Sequence, residues 1–303
     1  MRIAVVPASV AIVLLTTGAL MPTCRRTSRL DFAAPTNLGQ VINSPAFDGG
    51  PSVSADGLTL YFTSDRAGGV GRGDLWVARR SRRDDPFGAP RNLGPAVNSA
   101  ADEFAPSISA DGLTLYFDSN RPGTDGASDV WVVTRADPTQ AFGSPRNLGP
   151  AVNGAASDGL PSIAADGSSL YFSSRRDGGR GKMDLWLARR GSTSMEFRDV
   201  QNLGPGVNGA HDDWGPSISA DELSLIFMSD RPGGRGGQDL WLARRVQRTD
   251  PFGAARPLTS PVNGPSLEGR PNLSADGAML YFMSDRPGGV GAMDLWQARA
   301  GAP

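Results

Sequence analysis

The chain has 303 residues and a formal net charge of −1, from 30 basic and 31 acidic side chains. That balance excludes the strongly basic face a nucleic-acid partner would need. Apolar residues at 39%, beside 39 glycines and 24 prolines, exclude a disordered chain and point to a turn-rich, all-β one. A single cysteine, Cys24, excludes a disulfide framework.

Residues 3–20 (IAVVPASVAIVLLTTGAL) come first in the chain. The run is apolar, follows Arg2 and ends in small residues, so residues 1–24 read as a secretory signal peptide. Arg25, Arg26 and Arg29 follow, and positive charge there favours the cytoplasmic side, so a retained anchor is the alternative. Cys24 lies where bacterial lipoproteins are cleaved and acylated, but Met21-Pro22-Thr23 departs from the small residue usual before that cysteine. Two expectations therefore stand together, a lipid-anchored outer-membrane lipoprotein and a soluble periplasmic protein, both exported across the inner membrane. Residues 25–30 form a short linker.

From residue 31 the chain repeats. SDRAGGVGRGDLW (64–76) returns as SNRPGTDGASDVW (119–131), SRRDGGRGKMDLW (174–186), SDRPGGRGGQDLW (229–241) and SDRPGGVGAMDLW (284–296). The tryptophans Trp76, Trp131, Trp186, Trp241 and Trp296 are spaced by 55 residues without drift. So are the turn aspartates Asp56, Asp111, Asp166, Asp221 and Asp276, and the column from Asn43 to Asn263. Each unit predicts four strands. In the second these are PSIS (106–109), an Asp-Gly turn, LTLYF (113–117), DVWVVTR (129–135) and a looser stretch across FGSPRNLG (142–149). Four strands per repeat at this period predict a β-propeller blade.

The ends predict closure. Residues 31–39 correspond to a fourth strand with no first three before it, and the last repeat stops after its third strand at Gln297-Ala298-Arg299. Residues 31–300 therefore predict a single five-bladed, all-β propeller of four antiparallel strands per blade, its N-terminal strand completing the last blade and removing an open edge. Within LTLYF-type strands, Leu60 and Phe62 are expected to face one neighbouring blade and Tyr61 the other. The tryptophan column is expected in the core between blades.

SADGLTLYF followed by S-x-R-x-G-G-x-G-x-x-D-L-W, with an NLGxxVN segment between repeats, resembles the WD40-like repeat of TolB-type propellers. The resemblance covers about nine-tenths of the chain and implies a binding or scaffolding propeller of the bacterial envelope. TolB itself carries an extra N-terminal domain and usually six blades, so a Tol-system role does not carry over.

The glycine phrase leads into a strand rather than a helix and lacks GK[ST], which excludes a phosphate loop. Arg66, Arg121, Arg176, Arg231 and Arg286 are expected to clamp Asp74, Asp129, Asp184, Asp239 and Asp294. A third acidic column, Asp48, Glu103, Asp158, Asp213 and Glu268, is placed around the channel mouth, either paired with arginines or offered to a ligand. Blade 4 breaks the pattern at HDDW (211–214), with His211, Asp212 and Trp214; blade 2 has Phe104 in the Trp214 position. Aromatics beside carboxylates suit a sugar or a peptide side chain.

The reading is a non-catalytic, monomeric binding propeller for an envelope protein or glycan, with no cofactor, metal or nucleic acid. The alternative is a glycoside hydrolase-like enzyme using channel-mouth carboxylates. Repetition makes those acids equivalent, whereas that chemistry needs two differentiated ones.

Overall fold

Asp-Gly pairs open each blade's first hairpin. At Asp111-Gly112 the glycine takes φ +70, a left-handed conformation that costs a residue with a Cβ about 1–2 kcal/mol. The Asp111 carboxylate accepts the Leu113 N–H at 2.9 Å. Blade 4 has Glu222 in the glycine position at φ +58; its buried carboxylate accepts the Tyr171 hydroxyl at 2.9 Å, which holds the exception in place.

The computed structural model describes Met1 and residues 30–301, so the signal-peptide and Cys24 readings lie outside the described residues. Residues 31–300 fall into five sheets of four antiparallel strands. Blade 2 runs Glu103–Ile108, Thr114–Ser119, Asp129–Thr134 and Arg146–Asn147. Blade 5 consists of Glu268–Leu273, Met279–Ser284 and Asp294–Arg299, and its outer strand is the N-terminal Thr36–Asn37, with Thr36 opposite Gln297 and Asn37 opposite Trp296. The expected five-bladed propeller and its closing strand are thus both present. The outer strand is shorter than the sequence suggests, because Pro145, with no N–H to donate, stands before Arg146.

Alternation sorts each middle strand between two neighbours. Leu60 and Phe62 pack with Trp76 against Tyr281 and Leu295 of blade 5. Tyr61 packs with Leu75 against Leu115, Phe117 and Trp131 of blade 2. The repeat tryptophans are buried in these interfaces.

The innermost strands are stitched around the axis by side chains. Ser52 Oγ accepts the Ile108 N–H of the next blade at 3.1 Å, and Ser107, Ser162 and Ser217 repeat the bond. Asn272 Oδ1 closes the circle by accepting the Val53 N–H at 3.0 Å. Each first strand also carries a bulge before its proline, where Gly50, Ala105, Leu160, Gly215 or Arg270 takes a positive φ. No helix among the described residues is long and apolar enough to cross a membrane.

Candidate functional site: the channel mouth on the loop-rich face

The five acids that begin the first strands, Asp48, Glu103, Asp158, Asp213 and Glu268, are fully buried. Each meets an arginine of its own blade. Arg121–Glu103 lies at 2.8 Å, Arg176–Asp158 at 2.6 Å and Arg286–Glu268 at 2.9 Å, and Arg66–Asp48 and Arg231–Asp213 pair likewise. The guanidiniums lie on aromatic rings as well: Arg121 Cζ is 5.1 Å from the Phe117 centroid and 5.2 Å from that of Trp131. Burial pushes the Glu103, Asp213 and Glu268 carboxyls up, while hydrogen bonds and their arginines pull back. The ring is an ion-paired frame.

This corrects the expected clamp. The arginines do not bind the Asp74 column. Asp74 instead accepts the Gly71 N–H at 3.0 Å and the Asn92 amide at 2.9 Å, and Asp184 serves Gly181 and Asn202 in the same way. The glycine loop has its own N–H groups to satisfy within four residues, whereas a fully buried ring acid needs a counter-charge.

The blades diverge one step past the ring acids. Gly49, Phe104, Gly159, Trp214 and Gly269 stand opposite Thr63, Asp118, Ser173, Met228 and Met283 on the second strands. This second column receives the bulge N–H of the next blade. Thr63 Oγ1 accepts from Ala105 at 3.1 Å, Ser173 Oγ from Gly215 at 3.0 Å, and Asp118 Oδ1 from Leu160 at 3.0 Å. Two hydroxyls do this work unaided, so the charge on Asp118 is surplus to it. Asp118 is 8% exposed, and burial pushes its pKa up to about 6 against the pull of Arg270. Its Oδ2 has only a long contact with the Ser128 hydroxyl, at 3.4 Å.

Arg270 occupies the bulge position of blade 5 at φ +44, where Gly50 and Gly215 sit without strain. Its guanidinium lies over Phe104 at 5.2 Å and Phe47 at 5.7 Å, and those two rings meet edge to face at 6.4 Å. Nη1 is buried with no hydrogen-bond partner. Burial lowers the Arg270 pKa and the Asp118 charge opposes that.

Of the HDDW residues only Trp214 enters this group, packed against the cluster holding Met228 and Met283, with its indole N–H buried and unpartnered. Asp212 is half-buried and accepts the Met183 N–H at 3.0 Å. His211 is exposed, its Nδ1 3.8 Å from Asp230. Phe47, Asp118 and Arg270 were not singled out by the sequence reading. The signal available was a single charged residue in each of two columns otherwise neutral: Thr63, Asp118, Ser173, Met228, Met283, and Gly50, Ala105, Leu160, Gly215, Arg270.

Below the mouth, Arg270, Leu160 and a ring of five prolines narrow the channel to a cavity of about 30 Å³. A second of about 70 Å³, walled by Val53, Ile108, Ile163, Ile218 and Leu273, lies beyond it. Neither admits more than a few waters, so a ligand on the axis sits across the mouth rather than in the channel. Two larger clefts, of about 480 and 540 Å³, lie between blades 2 and 3 and between blades 5 and 1. Their walls include the Arg190–Tyr116 and Arg80–Tyr281 bonds, which recur elsewhere as Arg135–Tyr61 and Arg245–Tyr171, so these clefts are products of the repeat. Among the described residues no three His, Cys, Asp or Glu side chains converge as a metal would need.

No protein-family model and no curated protein matches the chain. Solved structures do. TolB from Acinetobacter baumannii is 15% identical with a TM-score of 0.53 over 86% of this chain; this chain spans 56% of that one. An α-L-arabinofuranosidase from Lactobacillus brevis is 12% identical with a TM-score of 0.58, over 86% of this chain and 92% of its own. A GH43 endo-arabinanase from Bacillus licheniformis is 18% identical with a TM-score of 0.58, over 84% of this chain and 94% of its own. At these identities the likeness shows the fold alone. It still overturns the expectation that the chain is not an enzyme, because glycoside hydrolases match this architecture along nearly their whole length.

Proposed function

We propose that the protein is a carbohydrate-active propeller of the cell envelope. It takes a glycan across the channel mouth and uses Asp118 to protonate a glycosidic oxygen. The observation that carries this reading is the buried Asp118 carboxyl, the one charged group in its column, its pKa pushed up to about 6 by burial, in a region where the blades diverge. A general acid needs a pKa near the working pH, and glycosidases raise a carboxyl by burial to reach it. Hydrolysis also needs a second, ionised carboxylate on the other side of the bond. Asp102 and Asp212, half-buried one residue before Glu103 and Asp213, supply the candidates. The likeness to glycoside hydrolases supports the reading; the envelope location draws on the apolar run at 3–20 and on the likeness to TolB.

The test is release of reducing ends from a panel of arabinans, xylans and acidic polysaccharides. Cleavage by the wild type, lost in Asp118→Asn with the fold intact, is expected. Cleavage unaffected by that substitution removes Asp118 from the role, and no cleavage of any glycan removes the activity.

A second reading, docking of an envelope protein on the same face, draws on the TolB likeness and on the shallowness of the mouth, which suits a broad partner as well as a sugar.

A further inference from the structure

We propose that Arg270 makes the mouth selective for acidic glycans, its guanidinium receiving the carboxylate of a uronic-acid residue. The inference rests on the glycan reading above and names its substrate class.

The position itself is the first observation. At a left-handed bulge glycine is the residue of least strain, and blades 1 and 4 have it as Gly50 and Gly215. Blade 5 holds an arginine there at φ +44. The strained backbone therefore carries a long cationic side chain that the fold does not need, since two blades close without any side chain at that place.

The second observation is what the guanidinium lacks. The other channel-side arginines, Arg66, Arg121, Arg176, Arg231 and Arg286, each have a carboxylate and a backbone carbonyl as partners. Arg270 has only the faces of Phe47 and Phe104 beneath it, and its Nη1 is buried with no acceptor. The nearby Asp118 does not fill that need, because its Oδ1 is committed to the Leu160 N–H and no ion pair joins the two side chains. The aromatic faces flank the fork, and its buried Nη1 lacks the acceptor that a ligand carboxylate would supply. A fixed guanidinium of this kind matches a carboxylate through two parallel hydrogen bonds.

The third observation is the charge balance. Arg270 and Asp118 are each other's electrostatic neighbours at the mouth. One ligand carboxylate is balanced by Arg270 when Asp118 holds its proton, the state an acid catalyst requires. A dianionic phosphate would set a second charge against Asp118. Phe104 beneath the fork and Trp214 on the blade 4 side of the mouth, both half-buried, offer apolar surface that suits a sugar ring.

The experiment is calorimetric titration of the protein with trimers of galacturonate, glucuronate and mannuronate, each against its carboxyl-reduced neutral counterpart. At least one acidic trimer is expected to bind about 10- to 100-fold tighter than its neutral form. Arg270→Gly, which takes the residue of blades 1 and 4, is expected to abolish that difference. Arg270→Lys should restore only part of it, keeping the charge and losing the fork. Equal binding of acidic and neutral trimers, or a preference that survives Arg270→Gly, overturns this inference and leaves the glycan reading standing. The reducing-end assay decides the glycan reading separately, and binding of no trimer overturns this inference. Arg270-dependent capture of a peptide's terminal carboxylate without uronate binding also overturns it, by giving the fork to a protein partner.

Discussion

Phe104 and Asp118 stand directly opposite each other on adjacent strands of blade 2, yet they serve different neighbours: the Phe104 ring meets Phe47 at the start of blade 1, and the Asp118 carboxylate accepts the Leu160 N–H of blade 3. In blade 4 the same pair of positions holds Trp214 and Met228, and in blade 1 Gly49 and Thr63. The repeat supplies one geometry and the blades fill it with different chemistry. Burial raises the Asp118 pKa, and Asp118 is the one carboxyl in its column.

The raised pKa of Asp118 makes stability depend on pH. The folded protein holds this proton up to about pH 6, whereas the unfolded chain releases it near 3.8. The stability tied to that proton is full below the lower value and is lost as pH rises toward the higher one, by at most about 3 kcal/mol. Asp118→Asn keeps an acceptor for the Leu160 N–H and carries no charge. It is expected to match the wild type near pH 4 and exceed it at pH 8, with part of the gain offset by the lost attraction to Arg270. Urea melts at the two pH values check this; a variant less stable at pH 8 contradicts it.

The ring pairs should behave in the opposite way. Asp158 is fully buried and Arg176 is its charge partner. Asp158→Asn leaves that guanidinium without a counter-charge and is expected to cost about 3–5 kcal/mol. The denaturation midpoint should fall with the slope unchanged, because the surface exposed on unfolding stays the same. Glycan affinity of the folded fraction should not change.

Between blades, Arg135 donates to the Tyr61 hydroxyl at 3.0 Å while its Cζ sits 4.4 Å from the Phe142 ring centroid. The bond recurs at three more interfaces and is absent between blades 4 and 5, where the positions hold Ile226 and Ala300. Arginine and tyrosine are missing together. Ile226→Tyr alone buries an unpartnered hydroxyl and should destabilise. Adding Ala300→Arg should recover a coupling of about 0.5–1.5 kcal/mol in a double-mutant cycle. Strict additivity of the two substitutions contradicts the pairing.

Trp186 lies in the interface of blades 2 and 3, 7% exposed, against Phe172 and Val130. Trp186→Ala is expected to cost roughly 3–5 kcal/mol by opening a cavity between blades. Calorimetry should show a lower Tm, and a loss under about 1 kcal/mol would mean the blades close over the gap.

Most of the architecture was legible because it is written five times. The spacing of Trp76, Trp131 and their successors, and the unpaired strand at residues 31–39, gave blade number and closure directly. The arginine partners were not legible. Arg66 lies 8 residues before Asp74 and 18 after Asp48, and only the hairpin that folds Asp48 back against Ser64 decides between them. The acidic column begins the innermost strands, and only the fold shows it fully buried against arginines. The mouth residues were legible only in part. Phe104 and Trp214 stood out because aromatics replace glycine. Asp118 and Arg270 are single departures 152 positions apart, and only ring closure brings blade 5 across blade 1 to blade 2. His211 drew notice as the one histidine of the chain and lies out on the rim.

The most direct test of the mouth as the binding site uses methionine methyl resonances during titration with the acidic trimers. Met228 and Met283 lie in the mouth cluster, Met195 lines the cleft between blades 2 and 3, and Met279 lines the cleft between blades 5 and 1. The account predicts saturable shifts at Met228 and Met283 with Met195 and Met279 still. Shifts confined to Met195 or Met279 would place the ligand in an interblade cleft and contradict it.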